Sequence, residues 1–516
     1  NDFYAHNEGR TQIAFLYVST YYNSLMKSKL LNWSLGSIVS ISIVYAALLV
    51  PETGQSVDST GGKEPFAWNM DEYWSNLESK FVIAQSQSDS TLSSQINRRF
   101  HKMDSLQIRL HSEGSSPDSP IYASIESEFF ELAALLSANP ERLSEFSGKY
   151  NHIRSTVKEQ SINWDMNSKV SRDCLYRLLY GGRTAIEEVI MQSSSKHQPE
   201  IIVKPIIPDQ TPSKFIFGVE IHSGDLLISR GGAPTSALIA RGNDYPGNFS
   251  HAAIVYVDED SGEVSVIEAL IEKGMIVTSI DDYLKDKKLR LMILRLRPDI
   301  EVLHDDPLIP HKAAQYVFQQ ANSAHYPYDF AMNTQDNSKV FCSEVVMEAY
   351  RHLNIELWSA LSNISRVGVR SWLSAFGVEN FTTQEPSDLE YDPQLYVVAE
   401  WRDYETLYKD RLDNAVVDVM LEGADQGDII RYNFFLLPIA RIVKGCSIIM
   451  NQLNRLGPIP EGMSATAALK NKWFSKKHQL QVKKLAILTK EFELENGYVP
   501  PYWEIIKLSR DAAVGS

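Results

Sequence analysis

The sequence predicts an α+β protein in which a small, mainly antiparallel sheet lies between two helical regions. From Gly224 onward the chain contains short β-branched runs, namely GDLLISR, HAAIVYV, VSVIEAL, MIVTSI and RLMILRL, and runs spaced this closely are typical of strands joined by short turns. By contrast, apolar residues recur at helical spacing from Trp68 to Gln192 and again beyond Tyr404. This order of elements favours helices placed beside a single antiparallel sheet.

An apolar run follows the N-terminal segment formed by residues 1–29. Residues 30–50, LLNWSLGSIVSISIVYAALLV, carry no charge and are long enough for one transmembrane helix. A signal-peptide core and a buried soluble helix are the alternatives. Lys27 and Lys29 precede the run, whereas acidic residues follow it. This charge distribution predicts a single-pass membrane protein with a cytoplasmic N-terminus and an extracytoplasmic, periplasmic bulk, and a further span upstream would reverse the orientation.

The rest of the chain divides into three predicted parts. Residues 64–200 are a helical domain, and a linker rich in proline and polar residues leads into the α+β domain at residues 212–402. Residues 404–516 form a C-terminal helical region. Its apolar stretch NFFLLPIARIVKGCSIIM is interrupted by a proline and two basic residues, which favours a core or docking helix over a membrane-surface helix. The two helical flanks are candidate surfaces for a protein partner.

Composition excludes several functional classes. A net charge of −15 and a pI near 5.4 argue against nucleic acid as a partner, because such surfaces need a basic footprint. The three cysteines, Cys174, Cys342 and Cys446, are too far apart for a CxxC zinc site. The sequence also lacks HExxH, GxxxxGK[ST] and GxGxxG motifs. No metal and no nucleotide cofactor are therefore predicted.

Cys342 is the candidate nucleophile. In KVFCSEVVMEAY it directly precedes a run with helical spacing, so its thiol is expected at the positive end of a helix, where the thiolate is favoured. A buried cysteine acting as a small apolar side chain is the alternative. The catalytic interpretation requires a base.

His251 and Glu268 are the candidate base and its acidic partner. His251 begins one predicted strand and Glu268 lies near the end of the next, and the polar segment DEDSGE joins the two strands. A turn centred between Glu259 and Asp260 would make the two residues cross-strand neighbours, with a bulge at Gly262 as a source of error in the register. Glu268 lies in the apolar run VSVIEAL and needs a partner there. A purely structural pair at the rim of the sheet is the alternative.

At this point the sequence resembles a known family. The motifs GDLLISR, SHAAIVY, VIEAL, YPYDF and VFCSEVVMEAY, in that order from about His222 to Arg402, resemble the permuted papain-like cysteine hydrolases of the NlpC superfamily, in its YiiX-like branch. The resemblance implies a permuted papain-like fold in which Cys342 is the nucleophile, His251 the base and Glu268 the third member of the triad. The stretch GGAPTSALIARGNDYPGN extends beyond the simplest pattern and is expected to cover or shape the cleft.

Two further residue pairs match the family motifs. Tyr328 and Asp329 precede the nucleophile and are candidate substrate-binding residues, with capping of the next element as the alternative. Gly224 and Asp225 open the first strand, and for Asp225 a turn or capping role is favoured.

These observations predict a membrane-anchored cysteine hydrolase that cleaves an amide or ester acyl bond through a thioester intermediate. The backbone N–H of Cys342 is expected to contribute to the oxyanion hole. The resemblance implies a cell-wall peptide or a lipid amide or ester as substrate. An acyltransferase that uses the same triad and a catalytically silent, membrane-anchored binding or scaffold protein are the alternatives.

Overall fold

A seven-stranded antiparallel sheet occupies the middle of the chain in the computed structural model, which describes residues 26, 27, 29, 33–35, 37–50, 64–114, 116–193, 201–203, 209–453 and 455–514. The described strands are β1 (Ile201–Val203), β2 (Ser213–Ile216), β3 (Val219–His222), β4 (Leu226–Gly231), β5 (His251–Val257), β6 (Val264–Leu270), β7 (Gly274–Ser279), β8 (Lys288–Leu296), β9 (Ser362–Asn363), β10 (Thr382–Thr383) and β11 (Leu395–Trp401). The order in the large sheet is β1-β11-β8-β4-β5-β6-β7, and β2 with β3 and β9 with β10 form separate pairs.

The five predicted strand runs are strands β4 to β8, and all of them lie in the large sheet. Their sequences are almost continuously apolar because both faces of the sheet are covered. On one face Ile228 and Ile254 belong to the main core, whereas Leu227 and Val255 pack on the other face in a smaller apolar cluster. The prediction of an antiparallel sheet between helical regions is confirmed.

Helices make up most of the remaining described chain. They are α1 (Trp33–Ala47), α2 (Asp71–Gln85), α3 (Asp89–Glu113), α4 (Pro120–Ala138), α5 (Leu143–Gln160), α6 (Lys169–Tyr176), α7 (Gly182–Gln192), α8 (Pro234–Arg241), α9 (Ile280–Lys285), α10 (Glu301–Asp305), α11 (Ile309–Ser323), α12 (Cys342–Arg351), α13 (Val367–Ser374), α14 (Asp388–Tyr391), α15 (Tyr404–Asp425), α16 (Leu437–Gln452), α17 (Ala465–Asn496) and α18 (Tyr502–Ala513). Helices α2 to α7 form the N-terminal helical region, and α15 to α18 form the C-terminal one. Helix α12 packs against β5 and β6, which brings the start of that helix to the end of the sheet.

The helical regions are tied to the sheet and to each other. Arg154 on α5 forms a buried ion pair with Glu400 on β11, with 3.0 Å between Nη1 and Oε2. Trp74 on α2 stacks on Trp503 on α18 with 5.9 Å between ring centroids. The N-terminal and C-terminal helical regions therefore meet, and the sheet domain is packed against both.

The predicted membrane helix at residues 30–50 is described only in part, because residues 30–32 and 36 lie outside the described residues. The apolar helix α1 lies within this span, and a membrane crossing there stays a prediction. Within the described chain, the one helix whose length and apolar composition would allow it to cross a membrane is Phe434–Gln452, which includes α16. The sequence interpretation treated Pro438 as an interruption of the apolar stretch. Pro438 lies in the first turn of α16, where proline is tolerated, so it does not break the helix.

Candidate active site

Cys342 is the first residue of helix α12. Phe341 before it has extended backbone, with φ −108°, so the helix begins at the cysteine itself. The Glu344 carboxylate accepts a hydrogen bond from the N–H of Phe341 at 3.4 Å and so helps to fix this start. Cys342 is only 4% exposed. The thiol therefore lies at the positive end of a helix and is shielded from bulk water.

His251 and Glu268 lie on the neighbouring strands β5 and β6, but they are not directly opposite each other. Glu268 is opposite Ala253, so the predicted register is wrong by two residues. The reason is the connection at residues 258–263, where Gly262 has φ +64° and its N–H donates to the carbonyl of Asp258 at 2.9 Å. A shift of two residues keeps both side chains on the same face of the sheet, so they still meet.

The imidazole of His251 connects the carboxylate to the thiol. Its Nε2 lies 2.7 Å from Oε2 of Glu268, and the second partner of the ring is the thiol of Cys342. The other oxygen of Glu268, Oε1, accepts a hydrogen bond from Oγ1 of Thr278 on β7 at 3.0 Å. Three adjacent structural elements therefore hold the three predicted catalytic side chains in one chain of contacts, and Thr278 fixes its outer end.

The electrostatics of this chain favour a thiolate–imidazolium pair. Burial alone would lower the pKa of His251, but hydrogen bonds and charge attraction with Cys342 and Glu268 outweigh burial and raise that pKa to about 9. Burial opposes ionisation of Cys342, yet the contact with His251 lowers the pKa of the thiol below its ordinary value. The pKa of Glu268 is also lowered, since His251 and Thr278 outweigh the effect of its burial. Each group is thus held in the form that nucleophilic attack requires.

Tyr328 lies beside the nucleophile. Burial raises the pKa of its phenol well above the usual value, and the nearby Cys342 raises it further while accepting a hydrogen bond from the hydroxyl. Tyr328 also lines the cleft in front of Cys342. The side chain is a neutral hydrogen-bond donor next to the reacting sulfur.

Asp329 lines the same cleft as Cys342 and Tyr328, so its substrate-binding role stays a prediction. Its carboxylate also accepts hydrogen bonds from the N–H groups of Ala331 and Asn333, as a capping residue does. Asp225 accepts two hydrogen bonds from Arg295, at 2.6 and 2.8 Å, and one from the N–H of His222. These contacts fit the turn or capping role predicted for Asp225.

A cavity of about 420 Å³ opens in front of Cys342. The extended stretch after β4 contributes Leu238 and Ile239 on α8 to its wall, so this stretch shapes the cleft. The opposite wall comes from the C-terminal region and consists of residues 457, 458, 460, 463, 468, 471 and 472. Gly462 approaches the carbonyl of Tyr328 so closely that an added Cβ would lie 2.7 Å from that oxygen. The cleft is therefore built jointly by the sheet domain and the C-terminal helical region.

Glu385 is a cleft residue that the sequence analysis missed. It is 5% exposed and lines the same cavity as Cys342 and Tyr328. Burial raises the pKa of its carboxyl well above the usual value, and the charges of Asp388 and Cys342 raise it further. Its position in the segment TTQEPSDLEYDP, far along the chain from Cys342, gave no pattern that pointed to the site.

The described part of the chain offers no cluster of three or more His, Cys, Asp or Glu side chains that could hold a metal ion.

A histidine at the start of a strand, followed later in the chain by a helix that begins at a cysteine and packs on the same antiparallel sheet, is the arrangement of a permuted papain-like domain. Residues 220–399 match the family described as permuted papain-like amidase enzymes, YaeF/YiiX, C92 family, and this part of the chain is a domain of that family. The chain is also similar to the crystal structure of metalloprotein yiiX from Escherichia coli O157:H7, with 19% identity and a TM-score of 0.29 over 35% of this chain and 98% of that chain. No curated protein matches the chain significantly.

Proposed function

We propose that this protein is a cysteine hydrolase that cleaves an amide or ester acyl bond through Cys342, His251 and Glu268. The observation that carries the proposal is the chain of contacts from the thiol through the imidazole to the carboxylate. Nε2 of His251 is held 2.7 Å from Oε2 of Glu268, and the thiol of Cys342 lies beside the same ring. This is the arrangement of nucleophile, base and orienting acid on which acyl transfer depends.

The first half of the reaction forms a thioester. The Cys342 thiolate attacks the carbonyl carbon of the substrate, and the π electrons of the C=O bond move onto its oxygen. The helix-start N–H of Cys342 points at the developing charge and serves as an oxyanion donor. When the tetrahedral intermediate collapses, the C–N or C–O bond breaks, and the imidazolium of His251 gives its proton to the leaving group.

The second half releases the acyl group. Neutral His251 accepts a proton from a water molecule while that water attacks the thioester carbon. The C–S bond then breaks, a carboxylic acid leaves, and the thiolate–imidazolium pair is restored. Glu268 keeps the imidazole oriented and stabilises its charged form throughout.

Cell-wall peptides and lipid amides or esters are the two proposed substrate classes. The test is hydrolysis of a panel of peptidoglycan fragments and long-chain acyl amides and esters, with product analysis to separate release to water from transfer to an amine or alcohol. Cys342→Ala should abolish turnover, whereas Cys446→Ala, which removes an exposed thiol, should not. Equal turnover by Cys342→Ala and the unmodified protein would rule out the nucleophile. Absence of turnover on every substrate would favour the binding or scaffold alternative.

We also propose that the protein is held at a membrane through its N-terminal apolar segment, with the hydrolase domain on the extracytoplasmic side. Lys27 and Lys29 before α1 support this orientation. A reporter fused after Ser516 should be active only if it has crossed the membrane. Activity of a cytoplasmic reporter at the same position would contradict the orientation.

A further inference from the structure

Helix α16 and the turn before it present a regular row of side chains to solvent. This row, called the apolar face below, consists of Phe435, Ile439, Ile442, Cys446, Ile449 and Leu453. Successive members are separated by four, three, four, three and four positions, which places them on one side of a helix. The five large apolar members are between 54% and 68% exposed. A water-exposed row of this length is unusual for a helix that packs only within its own chain.

The other side of the same helix is built into the protein. Leu437 and Ser447 are fully buried, and Val443 packs against the cluster that contains Met463, as Phe330 also does. Met463 lines the cavity in front of Cys342, and so does Phe330. One side of α16 therefore supports the wall of the cleft, while the apolar face is turned away from the protein.

The charged residues within the sequence segment that includes α16 are all basic. From position 429 to position 460 the sequence has no acidic residue and four basic ones, Arg431, Arg441, Lys444 and Arg455, although the chain as a whole carries a net charge of −15. Lys444 donates to the carbonyls of Pro460 and Glu461, so its charge is drawn away from the apolar face. A segment with exposed apolar residues, flanking cations and no acids is suited to an anionic lipid surface.

A second exposed apolar helix lies against the first. The hydroxyl of Tyr45 in α1 donates to the carbonyl of Phe435 at 2.7 Å. The guanidinium of Arg441 donates to the carbonyls of Leu48 and Val50, at 2.9 and 2.6 Å. Ile38 and Ile41 of α1 are 62% and 67% exposed. The chain from position 9 to position 51 also has no acidic residue, so two acid-free segments with exposed apolar side chains adjoin.

We infer that the apolar face of α16 lies in the interfacial layer of an anionic lipid bilayer, beside the point where α1 meets the membrane. A protein partner would also cover the apolar face, but it would not account for two adjoining segments that both lack acidic residues. Because the inner side of α16 supports the cleft wall, this placement puts the cleft next to the lipid. If the proposed function holds, which this step requires, the substrate class is a membrane amphiphile that carries an acyl amide or ester.

Cys446 provides a direct test, since it lies on the apolar face and is exposed, whereas Cys174 is buried. The full chain with Cys342→Ala is labelled at Cys446 with an environment-sensitive fluorophore and reconstituted into vesicles of phosphatidylethanolamine and phosphatidylglycerol. The control carries the label at Leu494→Cys, another exposed helix position, in the Cys342→Ala, Cys446→Ser background. Spin-labelled acyl chains should quench the Cys446 label and aqueous iodide should not, while the Leu494→Cys label should show the reverse. Iodide quenching of both labels to the same extent would overturn the inference.

A charge placed on the apolar face tests the consequence for substrate delivery. Ile442→Glu introduces an acid at an exposed position, and Leu494→Glu is the matched control. Ile442→Glu should lower hydrolysis of a vesicle-embedded acyl substrate by about tenfold or more and leave hydrolysis of a short soluble acyl ester within about twofold. Equal loss on both substrates, with an unchanged melting temperature, would contradict delivery from the membrane. Absence of hydrolysis on both substrates by the unmodified protein would instead refute the proposed function, and the Cys446 label would still report where the helix lies.

Discussion

Glu268 reaches Nε2 of His251 at 2.7 Å from a strand position two residues away from direct opposition. The diagonal contact places the carboxylate at the rim of the sheet, where Thr278 on the next strand can hold its second oxygen. With both carboxylate oxygens engaged, Glu268 holds the imidazole of His251 in position beside Cys342. The offset between the two strands of the hairpin thus determines how the carboxylate meets the ring.

Replacement of Glu268 by Gln tests whether this carboxylate acts in catalysis. The amide keeps the shape and most of the hydrogen-bonding capacity but removes the charge that stabilises the imidazolium. We expect kcat/KM to fall by roughly ten- to a thousandfold, on the order of 1.4 to 4 kcal/mol, and less than for Cys342→Ala. The pKa of His251 should fall as well, so the alkaline limb of the pH–rate profile should move to lower pH. If the pair were only structural, the variant would melt earlier and keep full turnover per folded molecule.

The thiolate–imidazolium pair predicts how the reactivity of Cys342 depends on pH. Its lowered pKa keeps the thiolate present below the ordinary range, and the raised pKa of His251, about 9, keeps the imidazolium present up to that value. Alkylation of Cys342 by iodoacetamide should therefore begin at lower pH than alkylation of a free thiol and depend less steeply on pH through the neutral range. Turnover should fall above about pH 9 as His251 loses the proton for the leaving group.

Cys174 and Cys446 serve as internal comparisons for this measurement. Burial, and to a lesser degree Glu126, raises the pKa of Cys174 to about 12, so it should stay unlabelled in the folded protein. Peptide mass analysis separates the three thiols, and Cys446→Ser removes the exposed one. Near neutral pH Cys342 should be labelled far faster than either of the others. Equal labelling of all three cysteines would remove the nucleophile assignment.

The buried carboxyl of Glu385 should cost stability as it ionises. Burial raises its folded-state pKa well above the unfolded value, so the folded state binds the proton more tightly. Stability is then greatest below the unfolded pKa and declines as pH rises towards the folded one. Glu385→Gln, which is neutral at every pH, should raise the melting temperature at neutral pH and leave it nearly unchanged at about pH 4. A calorimetric series that finds the same difference at both pH values would contradict this account.

A buried ion-pair network joins the C-terminal region to the sheet. Asp410 on α15 is completely buried and contacts Arg290 at 2.5 Å and Arg230 at 3.2 Å. Asp410→Ala would leave two buried guanidinium groups short of a counter-charge, and we expect it to reduce the free energy of unfolding by about 3–5 kcal/mol. Urea unfolding measures this loss. Asp413→Ala is the comparison, because Asp413 pairs with the half-exposed Lys409 and should cost less.

Local patterns were sufficient to predict the centre of the domain. Strands β4 to β8 could be recognised from β-branched runs, and the start of α12 from the position of Cys342. The pairing of His251 with Glu268 was inferred because a buried carboxylate needs a partner, although the turn at Gly262 shifted the register by two residues. These features depend on neighbours in sequence, which a single sequence reveals.

The parts that were missed depend on contacts between distant segments. Nothing near Thr278 or Glu385 in the sequence indicates that the first holds the carboxylate of Glu268 or that the second faces the cleft. The same holds for the C-terminal wall of the cavity, whose residues follow Cys342 by more than a hundred positions. The apolar stretch of α16 was predicted from the sequence to be a core or docking helix, with a membrane-surface helix as the alternative. Its place beside α1 follows only from hydrogen bonds across nearly four hundred residues.

The sheet domain and the C-terminal helical region build the cleft together, so the proposed catalytic residues and one wall of the cleft belong to different segments of the chain. The proposed catalytic residues lie between positions 251 and 342. The wall formed by residues 457–472 comes from a segment more than a hundred positions further along the chain. Exchange of the segment from α16 to the start of α17 between relatives should therefore alter which acyl chains are accepted while the chemistry persists. An enzyme arranged in this way can acquire a new preference without first losing its activity.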